Sequence, residues 1–374
     1  MRYYIIAGEL SGDEHGAYLC RYLHLHDNEF VARGFGGDNM QKEGVEIVKH
    51  INELAFMGFV EVATHLPKVL HNLSFCKKDI QDFKPDCVVL VDYPGFNLRI
   101  AKFLHKLGIK VFYYISPTVW AWRKGRIKQI KKYVNKLYVI LPFEKNFYNK
   151  YDIEVEYYGN PLLDEINDFS KNQENKEKFL SDNNLGNKPI IALLAGSRKQ
   201  EISKMLPLQS ELANKYADKF DFVVAGISSI GENYYKKYLH SSKVRIIYDK
   251  TYDILNVAYA GVINNGTATL QAALFNLPLL SCYQTAPITY MIAKYLIKIK
   301  YISLINLILN RQSIRELIQK DWNRKELDKE FRKIAFDDAY RHNIRADYDR
   351  LKNLLGNAGA SNQIALSIIN HLKK

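Results

Sequence analysis

Short, wholly apolar runs of four to six residues recur along this chain, and amphipathic stretches with helical periodicity separate them. The runs are rich in Val, Ile, Leu and Tyr, as strands that are buried on both faces of a parallel sheet usually are. Helices between such strands predict βαβ units with right-handed crossovers. The runs fall into two sets: 3–7, 87–91, 111–115 and 137–141, then 190–195, 222–225, 244–247, 260–263 and 278–282.

A polar segment at 168–188 separates the two sets, and its composition indicates a linker with one exposed helix. The division predicts two doubly wound α/β domains, at 1–167 and 189–330, and then a charged and finally helical tail at 331–374. A chain of 374 residues is also long enough for two cores. We expect the domains to face each other across a cleft, with ligands at the carboxyl ends of the strands.

The formal net charge of +13 suits phosphorylated substrates, an anionic membrane surface or nucleic acid. The basic residues are spread without a long Lys/Arg tail, which argues against nucleic acid. The four cysteines are far apart and match no zinc spacing, so a reducing cytoplasm is favoured. The N-terminal apolar run is typical of a strand and not of a signal peptide. No uninterrupted apolar stretch reaches about 18 residues, so we expect no transmembrane helix.

The stretch "NNGTATLQ" places small and hydroxylated residues where a predicted strand leads into a predicted helix. The first N–H groups of a helix have no partner within it, and the helix dipole makes this end attractive to phosphate. An ordinary helix cap by Thr267 would explain the same residues. The candidate phosphate-binding residues are Gly266, Thr267, Ala268, Thr269 and Gln271.

A second candidate anion turn, Gly196-Ser197-Arg198, follows the first predicted strand of the same domain. Glycine permits a tight turn, serine can cap a helix, and the arginine guanidinium can bind phosphate oxygens in pairs. A solvent-exposed arginine after a strand is the alternative. Because both turns fall in one predicted domain, each supports the interpretation of the other.

Asp92 ends a buried run in "VVLVDYPGFN", where it could act as a general base or cap the next helix. In "GELSGDEHG" the glycines lack the G-x-G-x-x-G order, which disfavours a nicotinamide cofactor. Glu9, Asp13 and His15 would be polar groups at the same sheet edge. A helix start capped by Ser11 or Asp13 is the alternative. Asp92, Glu9 and His15 are therefore the candidate catalytic residues.

Three other patterns have two interpretations each. "SPTVWAWRKGRIKQIKK" suits either sugar stacking with phosphate or lipid headgroup binding, or a packed aromatic corner. Asp347 and Asp349 lie in a charged helical stretch, so we expect no metal there. The apolar stretches 54–75 and 290–309 suit membrane-interface or core-facing helices, and the core is preferred for the second.

The blocks "GELSGD", "GFGGDNM", "LAFMGFVEV", "VDYPGFNLRIAK", "YYISPTVWAWRKGRI", "LPFEKNFY", "YYGNPLLD", "LLAGSRKQEI", "NGTATLQAAL" and "YISLINLI" span almost the whole chain. In this order they resemble the lipid-A-disaccharide synthases, which are inverting glycosyltransferases of GT-B architecture. The resemblance implies two Rossmann-like domains that use no metal and no cofactor besides the UDP-sugar donor.

The resemblance also implies a reaction. The family joins UDP-2,3-diacylglucosamine to 2,3-diacylglucosamine 1-phosphate (lipid X), giving the β(1→6) lipid A disaccharide 1-phosphate and UDP. It implies a peripheral protein at the cytoplasmic face of the inner membrane of a Gram-negative bacterium, with no nucleic-acid partner, and is compatible with a homodimer. A different sugar-nucleotide enzyme of this architecture, such as a cell-wall N-acetylglucosaminyltransferase or a UDP-sugar epimerase, is one alternative. A non-catalytic basic protein that binds membrane or nucleic acid is another.

Residue roles follow from the resemblance at matching positions. The NNGTATLQ turn would hold the UDP diphosphate and Arg198 would clamp it, while Asp92 would take the proton from the acceptor's 6-hydroxyl. Two positions depart from the family. Gln271 stands where an acidic residue is usual, and Ile305 replaces the usual proline before Asn306, a further candidate for the donor site.

Overall fold

The computed structural model describes residues 1–54, 66–122, 124–172, 176–296 and 299–373. They form two compact units. The first comprises Met1–Glu165, Leu296–Lys298 and Leu355–Lys374, and the second comprises Ile166–Tyr295 and Ile299–Leu354. Each unit is built on its own parallel sheet with helices, so the α/β prediction is confirmed.

The first unit contains a six-stranded sheet in the order β3-β2-β1-β4-β5-β6, with every pairing parallel. Its strands are β1 Arg2–Ile6, β2 Val31–Gly36, β3 Val45–His50, β4 Cys87–Val91, β5 Lys110–Tyr114 and β6 Lys136–Tyr138. The helices over this part of the chain are α1 Leu10–His26, α2 Asp38–Lys42, α3 Leu66–Phe83, α4 Pro94–Leu107, α5 Arg126–Tyr133 and α6 Pro142–Asn149. The chain leaves this unit within α7 Leu162–Asn172.

The second unit contains a six-stranded parallel sheet in the order β12-β11-β10-β7-β8-β9. Its strands are β7 Ile190–Leu194, β8 Asp221–Gly226, β9 Val244–Tyr248, β10 Ala260–Asn264, β11 Leu279–Tyr283 and β12 Glu316–Ile318. The helices that follow α7 are α8 Lys176–Asp182, α9 Lys199–Tyr216, α10 Glu232–Tyr238, α11 Thr251–Val257, α12 Thr267–Leu274, α13 Pro287–Leu296, α14 Leu304–Leu309, α15 Arg324–Phe336, α16 Asp338–Leu355 and α17 Ala360–Leu372.

Both sheets change winding direction once. In the first, β1 leads to β2 and β3 on one side while β4 starts the other side. In the second, β7 leads to β8 and β9 on one side, and β10 starts the other. Connections that diverge in this way leave a crevice at the carboxyl ends of the two central strands, where ligands of doubly wound sheets bind. The segments after β1, β4, β7 and β10 are therefore the places to look for a site.

The core of the first unit lies on both faces of its sheet. Alternate side chains of β1 point to opposite faces, and Tyr3, Tyr4, Ile5 and Ile6 are all fully buried. The face that carries Tyr3 and Ile5 packs against α1 and against α17 near the C-terminus. The late helix α17 thus completes a core that begins with β1.

The two apolar stretches differ in their exposure. Residues 55–65 lie outside the described residues. On α3, which follows them, Leu70 and Phe75 are exposed, whereas Leu73 is buried. In the second stretch, the expected core location is correct for α14, where Ile305 and Ile308 are buried, but wrong for α13, which exposes Met291 and Tyr295. No described helix is both long and apolar enough to cross a bilayer.

Candidate active site

The turn after β4 holds Asp92 in an unusual backbone conformation. Asp92 and Tyr93 both have positive φ, at 43° and 46°, which non-glycine residues seldom adopt. The turn is fixed by its own hydrogen bonds. The Asp92 N–H donates to the Tyr114 carbonyl at 3.0 Å, and the Asp92 carbonyl accepts from the Tyr113 hydroxyl at 2.6 Å and from Asn97 Nδ2 at 2.8 Å. Strain that is held this firmly is common at functional sites.

The block "GELSGD" begins with Gly8, against which the Tyr93 ring packs. A Cβ added at Gly8 would lie 2.4 Å from Cγ of Tyr93, so the Tyr93 ring rests on the glycine backbone. Pro94 then begins α4, a position that suits proline because its missing N–H has no helical partner. The loop after β1 and the turn after β4 are therefore packed together, and Gly8 helps to place Asp92.

The Asp92 carboxyl group has an acidity that suits proton transfer. The Asp92 side chain keeps some solvent contact, yet burial raises its pKa to about 7. The nearby negative charge of Glu9 also raises this pKa, whereas His15 and Arg126 lower it. The predicted candidates Asp92, Glu9 and His15 therefore lie within electrostatic range of each other at the crevice of the first sheet. A carboxyl group with a pKa near the working pH is well suited to act as a general base.

His15 lies within α1 and is buried against a carboxylate. Its Nδ1 is 2.7 Å from Oε1 of Glu165, which is also buried. Burial alone would lower the pKa of His15, but Glu165, Glu14 and Asp92 together raise it above its ordinary value. A protonated His15 favours the ionised form of Asp92. Sequence reasoning missed Glu165, although it directly follows the block "YYGNPLLD".

The other acids of this segment have different roles. Asp13 accepts backbone hydrogen bonds from Gly37, Asn39 and Met40 at 2.6, 3.0 and 3.2 Å, so it caps α2 instead of its own helix. Glu14 is half-buried, and burial together with the neighbouring Glu165 raises its pKa to about 7. Glu9 precedes α1 without making a side-chain cap to it. Asp13 is thus structural, whereas Glu9 and Glu14 add negative charge near His15 and Asp92.

The first tryptophan of "WAWR" forms part of a packed corner. Trp120 Nε1 donates to Glu144 at 3.2 Å, and its ring meets Phe143 edge-on with 5.0 Å between the ring centroids. Glu144 also accepts from the backbone N–H groups of Ile140 and Leu141. The blocks "WAWR" and "LPFE" are therefore in contact, which supports the aromatic-corner interpretation for Trp120.

In the second unit, the turn after β7 already holds a negative group. Gly196 has φ of 113°, a conformation that favours glycine. Glu201, in the first turn of α9, accepts from the Ser197 N–H at 2.9 Å and lies 3.3 Å from Nη1 of Arg198. Arg198 itself is 42% exposed. The turn thus presents a backbone donor and a guanidinium to one carboxylate, and both groups suit an external anion as well.

The turns after β7 and β10 lie side by side. The strands pair directly, with Leu194 opposite Ile263, and a Cβ on Gly196 would lie 2.9 Å from Nδ2 of Asn264. Gly266 is exposed, and a Cβ there would meet no atom within 4 Å. Residues 196–198 and 266–268 are therefore brought together around accessible backbone at the crevice of the second sheet.

Three further candidates for the donor site make hydrogen bonds within their own unit. The Thr269 hydroxyl is buried and donates to the Gly266 carbonyl at 2.8 Å. Gln271 Nε2 donates to the Tyr252 hydroxyl at 3.0 Å. Asn306 is fully buried, and its side chain bonds to the segment 313–316. The buried side chains of Thr269 and Asn306 therefore stabilise the second unit through internal hydrogen bonds. The pattern of residue types alone does not reveal these bonds.

Asp347, which lies in a charged helical stretch, has basic neighbours. Asp347 pairs with Arg311 and lies 3.7 Å from Nη1 of Arg350. Among the residues that the structure describes, no group of three or more His, Cys, Asp or Glu side chains is arranged to hold a metal ion.

Comparisons with known proteins agree across the whole chain. The family model described as lipid-A-disaccharide synthetase matches residues 3–367. A lipid-A-disaccharide synthase of Syntrophus aciditrophicus is 35% identical, with 99% of this chain and 97% of the relative covered. One from Coxiella burnetii is 34% identical, with 98% and 97% covered.

Several solved structures have a fold similar to that of this chain. A UDP-GlcNAc 2-epimerase from Neisseria meningitidis, bound to UDP-GlcNAc, superposes with a TM-score of 0.70 at 15% identity, covering 99% of this chain and all of the other. The glycotransferase of kitacinnamycin gives 0.63 at 12% identity, with 99% of each chain covered. These likenesses support the GT-B-like architecture, and the sequence relatives supply the family. The chain belongs to the lipid-A-disaccharide synthase family and is a glycosyltransferase of lipid A biosynthesis.

Proposed function

We propose that this protein transfers 2,3-diacylglucosamine from UDP-2,3-diacylglucosamine to the 6-hydroxyl of 2,3-diacylglucosamine 1-phosphate, with inversion and release of UDP. Asp92 carries the proposal, because its carboxyl group has a pKa near 7 at the crevice of the first sheet. Family membership supports the substrates. The paired turns of the second unit support a diphosphate leaving group.

In the proposed reaction, Asp92 accepts the proton of the acceptor's 6-hydroxyl as that oxygen attacks the anomeric carbon of the donor. The bond to UDP breaks on the opposite side of this carbon, so the α linkage becomes β. The N–H groups at residues 196–198 and 266–268, with Arg198, would stabilise the charge on the departing diphosphate. Glu201 would have to release the Ser197 N–H when the diphosphate binds there. The proposal needs no metal or other cofactor.

Both proposed substrates carry acyl chains, so we also propose peripheral binding at the cytoplasmic face of the inner membrane. The exposed Leu70 and Phe75 on α3 support this location, as does the net charge of +13. Apolar side chains gain about 1.5–3 kcal/mol each when they are fully buried. Lys and Arg near an anionic leaflet add roughly 1 kcal/mol each.

The direct test is an incubation of the purified chain with donor and acceptor in mixed lipid–detergent micelles. We expect UDP release that requires both lipids and matches the formation of the disaccharide, with a β linkage by NMR. Release of UDP without the acceptor would instead indicate a hydrolase or an epimerase-like reaction. Failure to form the disaccharide under conditions that support a family member would contradict the proposal.

Arg198→Ala should weaken UDP binding and turnover together. A hydrogen bond to a charged group contributes roughly 1.5–3 kcal/mol, so calorimetry should show about a 10- to 150-fold loss of UDP affinity. Arg324→Ala is a matched control, because Arg324 is also exposed and pairs with a carboxylate, Glu211, in the same unit. Equal UDP affinity in wild type and Arg198→Ala would make Arg198 a surface residue without a role in donor binding.

A further inference from the structure

A second concave feature lies beside Asp92 in the first unit. It is an open pocket of about 430 Å³, within the range of small-molecule sites. It is formed where α4 and α5 pack together. Its lining residues are Pro94, Gly95, Leu98, Arg99, Gly125, Arg126 and Gln129. None of the residues assigned above to proton transfer or UDP binding lines this pocket.

The charges around the pocket have one sign. Arg99 and Arg126 contribute two guanidinium groups, and none of the described lining residues carries a carboxylate. The arginine side chains come from different helices, so a bound group would be held from two directions. Arginine forks match the oxygens of a phosphate, which they bind in pairs.

The backbone around the pocket can be approached closely. A Cβ added at Gly95 or at Gly125 would lie more than 4 Å from every other part of the chain that the structure describes, so the backbone is open at both positions. Gly95 lies in the first turn of α4, and Gly125 is the residue immediately before α5. Neither helix has an acidic residue in its first turn or a side-chain cap. The partial positive charge of two helix starts therefore adds to that of the arginines.

The pocket is close to the proposed base. Pro94 and Gly95 follow Asp92 by two and three residues, and Arg126 acts electrostatically on the Asp92 carboxyl group. In the acceptor of the proposed reaction, one sugar ring separates the 6-hydroxyl from the anomeric phosphate. A phosphate in the pocket and a hydroxyl at Asp92 could thus belong to one molecule.

We propose that Arg99 and Arg126 bind the anomeric phosphate monoester of the acceptor sugar and thereby place its 6-hydroxyl at Asp92. This inference rests on the proposed function and assigns a specificity site within it. Fixing the phosphate would orient the reacting oxygen, which lowers the entropic cost of the attack. The two guanidinium groups would also offset the repulsion between the phosphate and an ionised Asp92.

The test compares two acceptors, 2,3-diacylglucosamine 1-phosphate and the same lipid without its phosphate. In wild type, kcat/KM should favour the phosphorylated acceptor. In Arg126→Ala and Arg99→Ala this preference should fall about 10- to 150-fold, the loss expected for a charged hydrogen bond. Arg126→Lys, which keeps the charge but not the fork, should recover part of it.

Lys128→Ala is the matched control for Arg126→Ala on α5, and Lys102→Ala is the matched control for Arg99→Ala on α4. Each control removes an exposed positive charge that does not line the pocket. They should keep the preference within about twofold, since exposed charges at a distance are screened. Thermal unfolding of every variant identifies those that fail to fold. An equal loss of turnover for both acceptors in the folded arginine variants would overturn the phosphate assignment.

A binding measurement separates this inference from the proposed function. Full-length protein is titrated with N-acetylglucosamine 1-phosphate, with N-acetylglucosamine and with inorganic phosphate, and binding is followed by NMR. We expect the sugar phosphate to bind best and Arg126→Ala to abolish its advantage. Inorganic phosphate binding equally well would overturn the assignment to an acceptor. If wild type binds the sugar phosphate but transfers to neither acceptor, the proposed function is refuted while the phosphate-binding site is retained.

Discussion

Asp92→Asn should lower turnover by about 10²–10⁴-fold, the usual cost of losing a general base. The amide has nearly the shape of the carboxyl group but cannot accept the proton of the attacking hydroxyl. UDP binding should persist, because the residues proposed to hold UDP lie in the second unit. Asp82→Asn is the matched control, since Asp82 is an exposed carboxylate on α3 of the same unit. Turnover within a few-fold of wild type would remove Asp92 from its role and make His15 the next candidate.

The pH dependence of the wild type tests the same assignment. Only the ionised carboxylate can act as the base, so kcat/KM should rise with pH and level off above the Asp92 pKa of about 7. A raised pKa means that the fold favours the protonated form. The stability penalty of Asp92 is therefore absent below the ordinary pKa of an aspartate and complete above about pH 7.

Asp92→Asn removes that penalty. At pH 8 the variant should consequently melt no lower than wild type, although it is inactive. This combination distinguishes a catalytic carboxylate from a structural one, whose loss would lower both activity and melting temperature. A clear drop in melting temperature at pH 8 would contradict the catalytic interpretation.

Asn306→Ala should lower the free energy of unfolding of the second unit by about 3–5 kcal/mol, because it leaves several buried groups without partners. Asn306 Nδ2 donates to the Ile314 carbonyl at 2.9 Å and to Glu316 at 2.8 Å. Its Oδ1 accepts from the N–H groups of Ser313 and Ile314 at 2.8 and 3.0 Å. The amide therefore connects α14 to the segment that leads into β12.

Urea denaturation followed by circular dichroism measures this effect. Asn233→Ala is the matched control, because Asn233 is an exposed residue of α10 in the same unit and should change stability by less than about 0.5 kcal/mol. Equal unfolding midpoints for Asn306→Ala and wild type would show that the network contributes little.

The fully buried strands could be predicted from the sequence, and some others could not. Each of the nine apolar runs overlaps a strand. The signal is strongest for β4, β7 and β10, which are buried along their whole length, because a strand covered on both faces has to be apolar throughout. The unpredicted strands are β2, β3 and β12. Glycines and Arg33 interrupt β2, and Glu46 and Lys49 interrupt β3. Strand β12 is a three-residue strand at the edge of its sheet.

The candidate site could be predicted only in part, for a related reason. Asp92 and Gly196 follow apolar runs directly, so the position of a strand end locates both. The contact between His15 and Glu165 joins residues from distant parts of the chain, which no local pattern reveals. Thr269 has a hydroxyl group that could donate a hydrogen bond to a phosphate, but in the structure this hydroxyl donates to the Gly266 carbonyl. Residue type and spacing do not determine which partner a side chain finds after folding.

The position of α17 has a consequence for protein synthesis. Ile364, Ala365 and Ile368 share a buried cluster with Tyr3 and Ile5, yet about 190 residues separate Glu165 from Leu355. At about 5–20 residues per second, a ribosome needs roughly 10–40 s to make that intervening stretch. During this interval the nascent first unit has an uncovered apolar face beside α1. We expect it to depend on chaperones until the last helix emerges.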